Sequence, residues 1–175
     1  MASIVKPLVG IIMGSDSDLE VMSEAAKIFD QFDLPYEVRV ISAHRTPDVM
    51  YEYASNATKR GLKIIIAGAG GSAHLPGMTA SHTALPVLAV PVKKDNHDHE
   101  ALWSNIKMPP GVPLATMPEN GAKNAALFAI EIIGLSNAEV AKSYDAFRIR
   151  QHNDVIKVDG KLQQHGWRKQ LKGKK

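Results

Sequence analysis

The sequence contains no cysteine among its 175 residues. Disulfide bonds, thiolate metal sites and a cysteine nucleophile are therefore excluded. Apolar residues form no run that approaches the ~20 residues needed to span a bilayer. The N-terminal stretch also lacks the layout of a signal peptide, because its short apolar run leads directly into Gly14-Ser15-Asp16 rather than into a small-residue cleavage site. These absences predict a cytoplasmic protein with no membrane partner.

The net positive charge of the chain comes entirely from residues 161–175. That segment holds six Lys and Arg residues and no acid, whereas the rest of the chain holds 15 basic against 18 acidic residues, a net charge of −3 compared with +3 for the whole chain. No aromatic-basic surface of the kind that binds nucleic acid accompanies these charges. The sequence therefore predicts one domain over 1–160, a solvated or partly disordered basic tail over 161–175, and no nucleic-acid partner.

Short runs of β-branched and aliphatic residues alternate with stretches of helical spacing. Strands are predicted over 8–13, 36–41, 63–67, 86–91 and 112–116. Helices are predicted after each of the first three strands, the third of them over about 77–84, and two more over 121–134 and 137–158. Strands joined by helical crossovers form a parallel sheet covered on both faces. The predicted fold is a flavodoxin-like three-layer α/β/α sandwich with a five-stranded parallel sheet and an additional C-terminal helix.

Three loops follow the first three predicted strands, over residues 14–18, 42–47 and 68–77. In open α/β sheets, ligands bind beyond the C-terminal ends of the strands, near the point where strand order reverses. We therefore expect these loops to meet at one edge of the sheet and to carry the functional site.

The first loop, Gly14-Ser15-Asp16-Ser17-Asp18, offers hydroxyl groups and free backbone N–H groups at a helix start. Such a position suits a phosphate. The carboxylate of Asp18 suits ribose hydroxyls, from which it would accept hydrogen bonds. A capping box formed by Ser17 and Glu20 explains the same residues without any ligand, so both interpretations stay open from this loop alone.

The second loop, Ser42-Ala43-His44-Arg45-Thr46-Pro47, combines a histidine with candidate anion ligands. Ser42 and Arg45 suit phosphate oxygens, because Arg presents a charged fork of donors. The side chain of His44 exchanges protons near neutral pH. Thr46 as N-cap with Pro47 in the first helical position predicts a helix start, and the alternative for His44 is a surface histidine beside that cap.

The third loop contains four glycines between Gly68 and Gly77, with His74 among them. Glycine lets the backbone approach a ligand closely and adopt positive φ. The spacing Gly68-x-Gly70-x-x-Ala73 is superficially that of a dinucleotide-binding loop, but no well-placed acidic ribose ligand follows about 20 residues on. A ligand-lining loop and a tight turn both explain the glycines.

Residues 95–100, Asp-Asn-His-Asp-His-Glu, supply groups that bind divalent metals. Side chains adjacent along the chain point in different directions, so they do not converge on one ion. We therefore predict a solvated loop and no metal.

Taken together, the three loops resemble the N5-carboxyaminoimidazole ribonucleotide mutase family, the catalytic-subunit family of phosphoribosylaminoimidazole carboxylase. The matching segments are 13–18, 42–47 and 67–78, supported by 108–113 and 124–127. The resemblance implies a cofactor-independent isomerase of de novo purine biosynthesis. It would convert N5-carboxyaminoimidazole ribonucleotide to 4-carboxy-5-aminoimidazole ribonucleotide by decarboxylation and recarboxylation, and it would assemble as a homo-octamer.

The resemblance also implies a role for each matching residue. His44 would be the catalytic proton carrier. Ser15, Asp18 and Arg45 would bind the ribonucleotide substrate, with Ser42 assisting at the phosphate. The migrating carboxylate and the ring would lie against residues of the third loop, namely Gly70, Gly71 and His74.

The family has a second branch, which carboxylates aminoimidazole ribonucleotide with free CO2. His44-Arg45-Thr46 and 70–74 match the mutase branch, since the other branch tends to carry lysine after the histidine. Residues 93–104 and 117–120 depart from the usual family pattern. The carboxylase reaction and a non-catalytic ribonucleotide-binding domain of the same fold are therefore kept as alternatives.

Overall fold

The computed structural model describes residues 6–93 and 99–172. The chain forms two compact units, Met1–Ile130 and Glu131–Lys175. The predicted boundary at residue 160 lies inside a helix of the second unit. The division into a domain over 1–160 and a separate tail stays a prediction.

The first unit is built on a five-stranded sheet in the order β2-β1-β3-β4-β5, in which every neighbouring pair is parallel. The strands are β1 (Val9–Met13), β2 (Tyr36–Val40), β3 (Ile64–Ala69), β4 (Val87–Pro91) and β5 (Ala115–Thr116). The helices of this part of the chain are a 3₁₀ helix (Asp16–Asp18), α1 (Leu19–Gln31), α2 (Pro47–Arg60), α3 (His74–Ser81), α4 (Glu100–Ile106) and α5 (Ala122–Gly134). Helices cover both faces of the sheet, and the flavodoxin-like α/β/α fold is confirmed.

The three central strands are buried along their whole length. Their side chains are apolar on both faces, as a sheet with helices on both sides requires. Edge strand β2 differs, since Val38 and Val40 are exposed. The continuous aliphatic runs of the sequence thus correspond to the central strands of the sheet.

Three elements differ from the sequence-based expectation. The third helix begins at His74 rather than near residue 77, because Pro76 falls in its first turn, where a missing N–H removes no intrahelical hydrogen bond. The fifth strand is only two residues long, since Pro113 cannot donate to a strand ladder. Helix α4 was not predicted.

The second unit contains α6 (Ala138–His165) and α7 (Trp167–Lys172). Asn137 caps the start of α6, because its side-chain oxygen accepts hydrogen bonds from the N–H groups of Glu139 (3.1 Å) and Val140 (3.2 Å). Helix α6 continues seven residues beyond the end predicted at 158, into the basic segment. Within the described chain, no helix is both long and apolar enough to cross a bilayer.

A partly buried polar network joins β2 to α2. The hydroxyl of Tyr53 donates to Glu37 Oε1 at 2.7 Å, and the guanidinium of Arg60 binds the other carboxylate oxygen. Burial raises the pKa of Glu37, but the hydrogen bonds from Arg60 and Tyr53 outweigh burial and lower that pKa overall. Burial is the larger cause that raises the pKa of Tyr53, and the hydrogen bond to the Glu37 carboxylate raises that pKa further. Glu37 is therefore held as a carboxylate beside a neutral phenol.

Gly10 of β1 lies directly against this network, since a Cβ built there would be 2.0 Å from the Tyr53 hydroxyl oxygen. We expect Gly10→Ala to lower the free energy of unfolding by about 1–3 kcal/mol, because Tyr53 must move off Glu37. Gly160→Ala is the control, because a Cβ there meets nothing within 4 Å in helix α6, and it should raise stability by about 0.5–1 kcal/mol. Urea unfolding measures both changes, and equal stability of Gly10→Ala and the parent protein would contradict this packing.

Candidate functional site

A cavity of about 280 Å³ opens at the C-terminal ends of β1, β2 and β3. The three predicted loops meet there. The cavity is lined by Gly14, Ser15, Asp18, Ser42, Ala43, His44, Arg45, Gly70 and Leu75. The predicted site residues Gly71 and His74 lie outside this lining, and the others belong to it. The geometry therefore brings most of the predicted residues together, while their roles toward a ligand stay predictions.

The first loop turns sharply after β1. Ser15 has an extended backbone (φ −153°) and caps the 3₁₀ helix by accepting the Ser17 N–H at 3.3 Å. The same N–H lies 3.0 Å from Asp16 Oδ1. Asp18, rather than Ser17, is the N-cap residue of α1, so the interpretation of this loop as a Ser17–Glu20 capping box is wrong. The carboxylate of Asp18 borders the cavity and its residue is only 2% exposed.

The second loop is tied to the first by Arg45. Its Nη2 atom donates to the carbonyl oxygen of Gly14 at 3.0 Å. Its backbone N–H donates to Ser42 Oγ at 3.1 Å, and Nε lies 3.4 Å from the same oxygen. These contacts place an exposed guanidinium and two serine hydroxyls on one cavity wall, because Ser15 follows Gly14 directly. The wall can bind an anion through charged and neutral donors together.

Thr46 is the N-cap residue of α2 and Pro47 occupies the first turn, as predicted. The Thr46 hydroxyl does not cap the helix, however. It donates to the Ser42 carbonyl at 3.0 Å and accepts the Ser42 N–H at 3.0 Å. These two hydrogen bonds join the two ends of the turn that contains Ala43 and His44. They therefore fix the backbone position from which the His44 side chain projects.

His44 and His74 form a pair. Their Nε2 and Nδ1 atoms are 2.7 Å apart, and the rings meet edge to face with centroids 4.9 Å apart at an angle of 88°. One nitrogen must carry a hydrogen and the other must accept it, because two bare nitrogens or two N–H groups would repel. The pair therefore holds one proton between two imidazoles at the edge of the cavity.

The third loop places His74 at the first position of α3. Gly71 and Ala73 both have positive φ, of 59° and 42°. Gly71 is exposed, and no atom lies within 4 Å of a Cβ built on it, so its turn conformation rather than close packing requires glycine. Its predicted contact with substrate stays a prediction. Gly68 is glycine for the opposite reason, since a Cβ there would be 2.2 Å from Met22 Sδ.

A second cavity, of about 440 Å³, has His74 in its wall. It is lined by Ser72, His74, Glu100, Trp103, Ser104 and Lys107. Sequence reasoning missed its α4 residues. Residues 100, 103, 104 and 107 have the i, i+3, i+4, i+7 spacing of one helix face, but only Trp103 among them is apolar, so the amphipathic pattern that indicates a helix is weak.

Most of segment 95–100, predicted to be a solvated loop without a metal, falls on residues 94–98, which lie outside the described residues. Among the described residues, no three potential metal ligands converge. His99 Nδ1 lies 2.9 Å from Glu119 Oε2, and Lys93 Nζ lies 3.5 Å from the same oxygen. Burial raises the pKa of Glu119, but His99 and Lys93 outweigh burial and hold that pKa below its ordinary value. Lys93 and His99, which flank residues 94–98, therefore both contact the carboxylate of Glu119.

Comparison with known proteins gives a consistent set of relatives. The family described as AIR carboxylase matches residues 8–154. An N5-carboxyaminoimidazole ribonucleotide mutase of Thermotoga maritima is 50% identical over 96% of this chain and 99% of its own length. A phosphoribosylaminoimidazole carboxylase of Candida glabrata is 49% identical over 97% of this chain but 30% of its own length. The crystal structure of Treponema denticola PurE superposes with a TM-score of 0.81 at 31% identity, over 89% of this chain and 98% of that one.

The shared proton of the histidine pair gives a direct test of the site geometry. At a pH at which both rings are neutral, ¹⁵N NMR should show one of His44 Nε2 and His74 Nδ1 as an N–H nitrogen and the other as a bare nitrogen. His74→Ala should shift the His44 ring signals, because the hydrogen-bond partner is lost, whereas His152→Ala on α6 should leave them unchanged. Unchanged His44 signals in His74→Ala would show that the pair does not form.

Proposed function

The chain belongs to the AIR carboxylase family, and from that membership we propose that it is an N5-carboxyaminoimidazole ribonucleotide mutase, an isomerase of purine biosynthesis. Relatives of that name are about 50% identical over nearly the whole chain. The observation that carries the proposal is the convergence of anion-binding groups and a histidine on one cavity. This arrangement suits a phosphorylated sugar attached to a heterocycle.

The sugar-phosphate end of the substrate fits the wall formed by the first two loops. The Arg45 guanidinium supplies positive charge, and the hydroxyls of Ser15 and Ser42 supply neutral donors. A buried carboxylate would repel phosphate but accepts hydrogen bonds from ribose hydroxyls, so Asp18 is assigned to the ribose. The ribonucleotide thus enters with its phosphate toward Arg45 and its base toward His44.

The reaction requires two proton transfers and no change of oxidation state. Protonation of the carbamate nitrogen breaks the N–C bond and releases CO2, leaving the aminoimidazole. The ring carbon C4 then attacks the CO2 carbon, and removal of the C4 proton restores the aromatic ring. One histidine serves both steps, because it gives a proton in the first and recovers one in the second. His44 borders the cavity and takes this role, with His74 as its hydrogen-bond partner.

The released CO2 must stay beside the ring until C4 attacks it. The apolar part of the cavity wall, formed by Ala43 and Leu75, offers no hydrogen bonds and therefore suits CO2 rather than water. The backbone of Gly70 completes this side. No residue in this scheme calls for a metal or an organic cofactor.

Each of two alternative functions is supported by one observation. The Candida glabrata relative named as a carboxylase supports the use of aminoimidazole ribonucleotide and free CO2, although the chain spans 30% of that protein. The departures over 93–104 support a non-catalytic ribonucleotide-binding domain. Turnover of the carbamate favours the mutase, turnover of aminoimidazole ribonucleotide with bicarbonate favours the carboxylase, and binding without turnover favours the binding domain.

We also propose that the protein is cytoplasmic and assembles as a homo-octamer. Helix α6 supports the assembly, because it presents exposed apolar side chains on a helix without a buried residue; they include Ile149, Val155, Ile156 and Val158. Sedimentation should give a mass of about eight times 19.0 kDa. Ile149→Asp with Ile156→Asp should lower that mass, and Gln151→Asp on the opposite side of the helix should not. A monomeric parent protein would contradict the proposal.

Replacing the proton carrier should separate chemistry from binding. We expect His44→Asn to lower kcat by at least about 10²–10⁴-fold, because general acid–base catalysis contributes on that order. The dissociation constant of the ring-carboxylated product should change little, since Arg45, Ser15 and Asp18 are untouched. Turnover is followed by conversion of the carbamate, and binding by calorimetry. His152→Asn is the matched control, and an unimpaired His44→Asn enzyme would refute the assignment.

A further inference from the structure

We propose that Glu100 and Ser104 of α4 are positioning residues that hold the loop bearing His74 in register with His44. The inference rests on the proposed mutase function for its catalytic consequence. It assigns a role to the segment that departs from the family pattern, which the reaction scheme alone does not use.

Two hydrogen bonds join α4 to the third loop at a single residue. The hydroxyl of Ser72 donates to Glu100 Oε1 at 3.0 Å. The hydroxyl of Ser104 donates to the backbone carbonyl of Ser72 at 2.5 Å. Ser72 is therefore bound to α4 through both its side chain and its backbone, two residues before His74.

The loop needs this support from outside. Ser72 is exposed, so burial does not fix it. Its neighbours Gly71 and Ala73 both adopt positive φ, a conformation that costs energy for a residue with a Cβ. The contacts of α4 with Ser72 oppose relaxation of this strained stretch, which ends at His74.

Helix α4 is itself anchored. Ala101 and Asn105 are buried, and the hydroxyl of Thr116 in β5 donates to the Asn105 carbonyl at 3.2 Å. Glu100 and Ser104 precede those two residues by one position each and lie one helical turn apart, so they share a face. Helix α4 is thus anchored through Ala101 and Asn105, and it contacts the third loop through Glu100 and Ser104.

The histidine pair is sensitive to small movements of the loop. Its 2.7 Å contact joins residues on two different loops, and hydrogen bonds weaken steeply once distance or angle departs from the optimum. Loss of the α4 contacts should let His74 drift from His44. The proton would then be less well placed for the reaction, while the phosphate and ribose contacts would persist.

Variants of the Ser72–Glu100 contact test the proposal in the full-length protein. Glu100→Ala should lower kcat about tenfold, since misplacement by about 1 Å costs up to ~10²-fold, and KM should change by less than about twofold. Glu100→Gln should restore most of kcat, because its amide oxygen still accepts the Ser72 hydroxyl. Ser72→Ala should reproduce the loss, and the double variant Ser72→Ala/Glu100→Ala should add little to it. Ser104→Ala should act in the same direction.

Glu139→Ala is the matched control, because Glu139 is also an acidic residue in the first turn of a helix. The proposal is overturned if Glu100→Ala keeps the parent kcat, if it raises KM alone, or if Glu100→Gln is as impaired as Glu100→Ala. The last result would indicate a role for the charge rather than for the hydrogen bond.

A readout without turnover separates this proposal from the proposed function. The ¹⁵N signals of the His74 ring should move in Glu100→Ala and stay near those of the parent protein in Glu100→Gln. If the parent protein fails to convert the carbamate, the mutase proposal fails, and the NMR comparison still decides whether α4 positions His74. Unchanged His74 signals in Glu100→Ala would refute the positioning role whatever the activity.

Discussion

The parallel pairing of three neighbouring strands is the constraint on which the site depends. Met13 at the end of β1 is level with Val40 at the end of β2 and with Gly68 near the end of β3. The loops that follow therefore leave the same edge of the sheet, a few ångströms apart. Gly14 illustrates the result, because its N–H donates to the Gly68 carbonyl while its own carbonyl accepts from Arg45. Side chains distant in sequence become neighbours through strand register.

The sheet and its loops are stabilised by different interactions. The central strands are buried and apolar on both faces, and Gly10 permits close packing of Tyr53 against the sheet. The three loops instead carry polar groups, and the third adopts positive φ angles at Gly71 and Ala73. Their geometry comes from hydrogen bonds between loops and from α4.

The strands of the sheet and the positions of the three loops could be predicted from the sequence, whereas helix α4 and the contact between His44 and His74 could not. The aliphatic runs of β1, β3 and β4 identify the sheet, because burial on both faces leaves no polar position in such strands. The three loops could be located because they follow the first three strands, β1, β2 and β3. The short α4 was missed, since seven residues next to a polar segment give a weak periodic signal. The contact between His44 and His74 was not predictable, because it depends on backbone angles at Gly71 and Ala73.

In the proposed mechanism, one cavity holds both ends of the substrate. A crystal structure with the ring-carboxylated nucleotide tests this most directly. We expect the phosphate to contact Ser15, Ser42 and Arg45, and the imidazole of His44 to lie within hydrogen-bonding distance of the heterocycle. A nucleotide bound instead in the second cavity, with its phosphate on Lys107 and its base on Trp103, would contradict it.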